Sequence, residues 1–261
     1  MFNLSLKNIP MRKLTYLPTL LATLMACNNN NNNNHTGTDS TAAAGSIPTT
    51  VAVHITGTYQ GTLPCADCPG MDYQISLFDD HTFTELVAYQ GRGQGIAYTE
   101  KGTWQQINDS IVRIQKKKDS SSFLAAENKL LVLDREGKRI EGALASNYVL
   151  KPVEGGDRRT LLAQKASAGV TFTASGNEPF WSLDLEKSKL LFHTASGDSI
   201  LANLPAAQPN TDTLKVYTTP QITVSIRNTM CSDDMSGLMR PNTVEIKVKD
   251  QTYHGCGEYI K

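Results

Sequence analysis

From Ile55 onward, apolar residues alternate with polar ones in short runs separated by turn residues. Tyr73, Ile75 and Leu77 alternate with Gln74 and Ser76, and Asp79-Asp80 turn the chain into a second run from Thr82 to Val87. After the glycine-rich Gln90 to Gly95 come Gly102-Thr103-Trp104, Ile111 to Ile114, Phe123-Leu124, Leu130 to Leu133 and Tyr148 to Leu150. Together with Thr58 to Leu63, the period of two and the regular turns predict roughly eight strands in a sandwich or small antiparallel barrel.

Pro152 to Asp157 breaks this pattern. Asp157 is placed to cap a short helix from Arg158 to Gln164, with Leu161 and Leu162 docking, before Ala166 to Gly169 loosens again. The alternation then returns at Val170–Thr173, Phe180–Leu185, Leu190–His193, Ser199–Leu204, Leu214–Tyr217 and Ile222–Ile226. The clearest strand has Val244, Ile246 and Val248 inward with Glu245, Lys247 and Lys249 outward, and Thr252 to Cys256 returns beside it. The chain therefore reads as all-β, with a first β domain over 55–152, a linker over 153–169 and a second small β domain over 170–261.

The first 54 residues read differently. Arg12-Lys13 precede an apolar run from Leu14 to Met25, too short to span a bilayer and shaped like an export signal. Met11 is a second candidate start. Leu24-Met25-Ala26-Cys27 resembles the bacterial lipobox, which implies cleavage after residue 26 and lipidation of Cys27. Asn28 to Asn34 and the small polar residues up to His54 bury no apolar area, so residues 27–54 are expected to be a disordered tether reaching ~30 Å.

Charge excludes one class of partner. Lys plus Arg equals Asp plus Glu at 25 each, and no basic stripe invites nucleic acid. Removing residues 1–26 takes away Lys7, Arg12 and Lys13, leaving 22 cations against 25 anions, a net of −3. The mature body should not adhere to anionic lipid by itself, so the membrane contact rests on Cys27.

With Cys27 assigned to the anchor, four cysteines remain in an exported chain, and they read as two disulfides. Local pairing, Cys65–Cys68 and Cys231–Cys256, is the simplest of the three connectivities. The first would close a four-residue loop worth about 2 kcal/mol and the second a loop of about 26 residues worth about 3.5 kcal/mol. Pro64 and Pro69-Gly70 fence Cys65-Ala-Asp-Cys68 and prevent a helix from growing out of the turn, which rules against a thioredoxin-like site. Three readings of the pair stand: a structural bridge, a labile redox-reporting bridge, or, if reduced, a Cu(I) site with Met71 or His81 as candidate neighbours. The structural bridge leads. A zinc ribbon is excluded because no second ligand pair exists.

The run Gly57-Thr-Tyr-Gln-Gly-Thr-Leu-Pro-Cys-Ala-Asp-Cys-Pro-Gly70 is followed by Leu77, Asp79-Asp80, Tyr89, Gly102-Thr-Trp104, Leu131, Leu133-Asp134, Gly137 and Asn147-Tyr148. It resembles the N-terminal domain of the NlpE lipoproteins. The resemblance implies a lipocalin-like barrel on an outer-membrane lipoprotein facing the periplasm, linked to copper tolerance and to signalling of envelope stress to a sensor kinase. It implies no catalytic residue. Trp104, Tyr59 and Tyr73 are expected to fill the barrel rather than line a cavity; a carrier of a small hydrophobic or lipid ligand is the rival reading.

In the second half, Ser175-Gly-Asn-Glu-Pro-Phe-Trp-Ser182, Met230-Cys-Ser-Asp-Asp-Met-Ser236 and Gly255-Cys-Gly257 resemble a C-terminal domain of bacterial lipoproteins of unknown function. Asp234 stands where that family usually has Gly. This half does not resemble the second domain of enterobacterial NlpE. Asn177, Glu178 and Trp181 are a candidate recognition site, and Asp233 and Asp234 a candidate carboxylate pair. Met230, Met235 and Met239 are expected to fill the core, with a copper site formed by them, His254 and the cysteines as the weaker reading. No nucleophile, general base or phosphate loop stands at a supportive spacing, so no enzyme activity and no cofactor other than copper is expected.

Overall fold

A computed structural model describes residues 55–260. The signal segment, Cys27 and the asparagine tether lie outside the described residues. Eight antiparallel strands close into a barrel: β1 (Gly57–Leu63), β2 (Met71–Leu77), β3 (Thr82–Tyr89), β4 (Ala97–Gln106), β5 (Ile111–Gln115), β6 (Ser120–Ala126), β7 (Lys129–Val132) and β8 (Val149–Val153). Each pairs with the next in sequence, and β8 closes on β1 through the register Thr58 opposite Val153. The alternation that predicted the strands fills the interior: Tyr59, Leu63, Tyr73, Ile75, Leu77, Phe83, Trp104, Val112, Ile114, Phe123, Leu130 and Leu150 form one buried cluster. At eight strands the lumen is about wide enough for side chains alone. Strand β4 begins at Ala97 and takes in residues that the glycine-rich stretch had masked in the sequence.

Helix α1 (Arg159–Ser167) runs three residues past the expected end. Asp157 accepts the Arg159 backbone N–H at 3.0 Å and also clamps the Arg159 guanidinium, so it serves the first turn from just outside it. Leu161 does not dock: it is exposed, while Leu162 is half-buried.

The second sheet has the order β12-β11-β10-β9-β18-β17-β14-β13. Its strands are β9 (Val170–Asn177), β10 (Phe180–Glu186), β11 (Lys189–Thr194), β12 (Ser199–Asn203), β13 (Leu214–Thr218), β14 (Thr223–Arg227), β17 (Asn242–Val248) and β18 (Gln251–Tyr259). Between β14 and β17, a short ladder of β15 (Cys231–Ser232) and β16 (Met239–Arg240) folds a loop back on itself. The inward residues of the sheet, among them Phe172, Trp181, Leu183, Leu190, Phe192, Val224, Val244, Ile246 and Tyr253, form a second core. Strand β18 runs through Cys256 to Tyr259, so the cysteine lies within the strand and not at its end, paired with Ser175 of β9 and Thr243 of β17.

Trp181 explains why two glycines face each other across the central strands. Its indole N–H donates to the His254 carbonyl at 3.1 Å, which lays the ring flat over β9 and β18. A Cβ at Gly176 would lie 2.2 Å from the indole nitrogen, and one at Gly255 would lie 2.1 Å from the Ser175 carbonyl and 2.7 Å from the ring. Backbone oxygens cannot yield at such distances. Gly255→Ala is therefore expected to destabilise the full chain by about 1–3 kcal/mol, as overpacking does. Urea unfolding measures it, and an unchanged midpoint would contradict the packing described.

Candidate functional site

The proline-fenced turn joins β1 to β2 at one end of the barrel. Cys65 and Cys68 are bridged, with Sγ atoms 2.03 Å apart and Cα atoms 5.2 Å apart. Both are half-buried, and the intervening Asp67 is exposed and pairs with Arg92 at 2.6 Å. Of the two candidate metal neighbours, His81 stands far from the sulfurs. Met71 begins β2 and packs against the barrel core. His81 lies at the far end of β2, about 20 Å along the strand at ~3.3 Å per residue, in a left-handed turn with its ring 4.7 Å from that of Trp104. Bridged sulfurs offer no thiolate, so the turn as it stands does not fit Cu(I); only its reduced form presents two soft ligands. Among the described residues, no group of three or more His, Cys, Asp or Glu is gathered to hold a metal ion.

The barrel interior holds a polar group that alternation alone misses. Glu85 takes an inward position on β3, almost fully buried, where Tyr73 donates its hydroxyl to Oε1 and the Lys116 ammonium reaches the same oxygen at 2.7 Å. Lys116 reaches in from the β5–β6 turn and is half-buried. Burial first, then the Glu85 carboxylate beside it, raises the Tyr73 phenol well above its ordinary value. An acidic residue in the run Thr82-Phe-Thr-Glu-Leu-Val87 was the available signal, and its inward parity with Phe83 the way to find it.

The second cysteine pair organises the loop that meets the barrel. Cys231 on β15 is bridged to Cys256 on β18, with Cα atoms 5.4 Å apart. Asp233 and Asp234 do not pair. Asp233 turns inward; its Oδ1 accepts the Ser236 N–H and hydroxyl at 2.9 Å each, and its Oδ2 faces the Arg240 guanidinium at 3.7 Å. Burial opposes its ionisation, but the Ser236 bonds and the Arg240 charge outweigh it and lower its pKa. Asp234 is exposed. Arg240 is itself buried, donating to the Ser175 hydroxyl at 3.0 Å and the Cys256 carbonyl at 3.1 Å. Met235 is 70% exposed and fills no core. Glu178 is exposed and Asn177 half-buried at the β9–β10 turn, while Trp181 is buried, so the three do not share a surface.

The barrel touches the second half through this loop. The Gln74 amide donates to the Met239 carbonyl at 3.2 Å and accepts the Met239 N–H at 2.9 Å, as a neighbouring strand would. Gln60 donates to the Gly237 carbonyl at 2.8 Å, the Met230 N–H donates to the Gly95 carbonyl at 2.9 Å, and Ile96 bridges Thr229.

The barrel with its proline-fenced cysteine turn corresponds to the family model described as the NlpE N-terminal domain, which matches residues 59–143. The chain is 31% identical over 106 residues to the 17 kDa lipoprotein of Treponema pallidum (strain Nichols), spanning 36% of this chain and 68% of that protein. The chain belongs to the NlpE lipoprotein family. It is also 31% identical over 135 residues to lipoprotein NlpE of Escherichia coli K12, covering 51% of this chain and 53% of that protein. It thus spans about half the length of the Escherichia coli relative. Among solved structures, a lipoprotein of Shewanella oneidensis shares 35% identity, covering 41% of this chain and 95% of that one, at a TM-score of 0.36. The structure of NlpE, the Cpx pathway activator of Escherichia coli, shares 18% identity over 78% of this chain and 94% of that one, at a TM-score of 0.31.

Two outcomes follow for the NlpE-type barrel. Lys116→Ala leaves the buried Glu85 charge without its counter-ion and is expected to cost about 3–5 kcal/mol, whereas adding Glu85→Gln should recover part of the loss. Equal urea midpoints for the single and double variants would contradict this. The folded state also holds the Tyr73 proton more tightly than the unfolded chain, where the phenol titrates near ~10. Its contribution is fully present below that pH and lost as pH rises through the higher folded value. Between pH 8 and 11 the decline in stability should be steeper in the parent chain than in Tyr73→Phe; identical slopes would exclude the burial described.

Proposed function

We propose that this chain is a non-enzymatic envelope lipoprotein, anchored through an acylated Cys27 to the outer membrane and facing the periplasm. Its NlpE-type barrel reports envelope stress to a sensor kinase or another envelope partner, with copper homeostasis as a linked role. The observation that carries this reading is the family match over 59–143, which takes in the proline-fenced turn and most of the barrel, from β1 to β7. Both curated relatives are named lipoproteins, in keeping with an anchor at Cys27. The buried charges of the barrel and the loop are spent on one another, which leaves them poorly suited to catalysis and well suited to holding a surface in shape. The half-buried cysteine bridge closes only a four-residue loop, so its reduction costs the fold little, and the reduced pair supplies the thiolates that Cu(I) prefers.

The anchor is tested in the bacterium that owns the chain. Labelled fatty acid should enter the parent protein, and overproduction should raise envelope-stress transcripts several-fold. Cys27→Ala should lose both the label and the response; a full response from the unlabelled variant would overturn the anchored-sensor reading. For the copper limb, Cu(I) titration of the reduced full chain should show one tight equivalent that Cys65→Ser/Cys68→Ser abolishes. Equal binding by the two proteins would remove these sulfurs from the reading.

A further inference from the structure

A cleft of about 870 Å³ lies between the outer face of the barrel's β2–β4 and the end of the second sheet, beneath α1. This is within the ~300–1,000 Å³ range of sites that take small molecules. Its apolar lining is chiefly aliphatic and comes from every side: Leu86 from the barrel, Leu162 from the helix, Leu214 and Met239 from the second half, with the Tyr259 ring beside them. Leu86 is almost fully buried although it points out of the barrel, so this patch of barrel surface is covered only because the second half stands over it.

The charge in the cleft is one-sided. Five cations line it, Lys101, Arg158, Arg159, Lys215 and Arg240, against two acids, Asp212 and Glu258. Three of the cations are already matched: Arg158 with Glu258 at 2.7 Å, Arg159 with Asp80 at 2.6 Å, and Arg240 with Asp233. Lys215 instead lies 4.9 Å over the Tyr259 ring, and neither it nor Lys101 has a carboxylate partner among the described residues. The Nε–H of Arg240 is buried and has no acceptor. A desolvated guanidinium with a spare donor raises the positive potential of the wall it stands in.

We propose that this cleft binds an amphipathic anion with a single acyl chain, its tail along Leu86, Leu162 and Leu214 and its anionic head held by Lys101 and Lys215. Aliphatic walls suit a flexible hydrocarbon chain, and two unmatched ammonium groups favour a carboxylate or phosphate over a neutral head. The site differs from a lumen ligand, because the lumen is occupied by side chains. It does not depend on the signalling reading: each would stand if the other fell. Because the barrel, α1 and the second half all contribute walls, a bound chain would also tie them together.

Hexadecanoic acid bearing a diazirine, added to membranes holding the full chain and irradiated, tests the site by peptide mapping. Adducts are expected within 84–101, 158–166, 211–228, 238–242 and 258–260. Ala163→Trp, which fills the cleft from an exposed helix position, should cut labelling several-fold, and Lys101→Glu/Lys215→Glu should do the same. Unlabelled hexadecanoate and lysophosphatidylglycerol compete in separate arms, and the stronger competitor identifies a free acid or a lipid headgroup as the source; uncharged hexadecanol should compete poorly. Adducts confined to the barrel lumen, or spread evenly over the chain, would overturn the proposal whatever the variants do. So would undiminished labelling of Ala163→Trp or equal competition by hexadecanol.

Discussion

Arg240 carries a full charge into the interior of the second half and there bonds Ser175 of β9, the Cys256 carbonyl of β18 and, at longer range, Asp233 of its own loop. Removing either charge would leave the other buried and unpaired, a far larger cost than the pair's own contribution. The Cys231–Cys256 bridge pins the same loop to the same strand. With its two ends fixed in this way, the loop presents the Gly237 carbonyl and the Met239 backbone at positions where Gln60 and Gln74 of the barrel can meet them. The junction and the cleft beside it both follow from how this one segment is held.

The barrel solves a different problem. Its eight strands leave room only for side chains, and the interior is occupied by aromatic and aliphatic residues apart from the Tyr73–Glu85–Lys116 group. A buried carboxylate is tolerated because one neighbour donates a hydroxyl and the other brings a counter-charge. At the opposite end from His81, the bridged Cys65–Cys68 turn sits between prolines and closes too short a loop to be a major staple. A feature that stabilises little and stays half-exposed is the part of the barrel freest to serve chemistry, which is why the copper and redox readings attach to it.

Much of this architecture was legible in the residues. The period of two in Tyr73-Gln-Ile-Ser-Leu77 and in Val244-Glu-Ile-Lys-Val248 located strands correctly, because the face of each turned to its core is apolar and the opposite face polar. Strand ends were less legible. Glycines at 91, 93 and 95, all at positive φ, form a turn that hid the start of β4, whereas Gly255 and Gly257, which a neighbouring backbone or ring approaches closely, look like turn residues in a sequence and hid the end of β18. Side-chain partners across long separations were not legible at all. Asp233 and Asp234 looked like a pair because they are adjacent, yet neighbouring residues of a tight loop point apart, and Asp233 is matched to Arg240. The cleft was equally hidden: Leu86 reads as an ordinary strand residue until the second half is seen to cover it.

The disulfide-pinned loop is expected to weld the barrel to the second half as one cooperative body. Calorimetry of the oxidised full chain, beside Cys231→Ala/Cys256→Ala, tests this most directly. The oxidised chain should melt in a single transition, and loss of the bridge should split off an earlier one for the second half while the barrel transition persists. Two independent transitions already present in the oxidised chain would contradict the weld and, with it, the cleft that the weld creates.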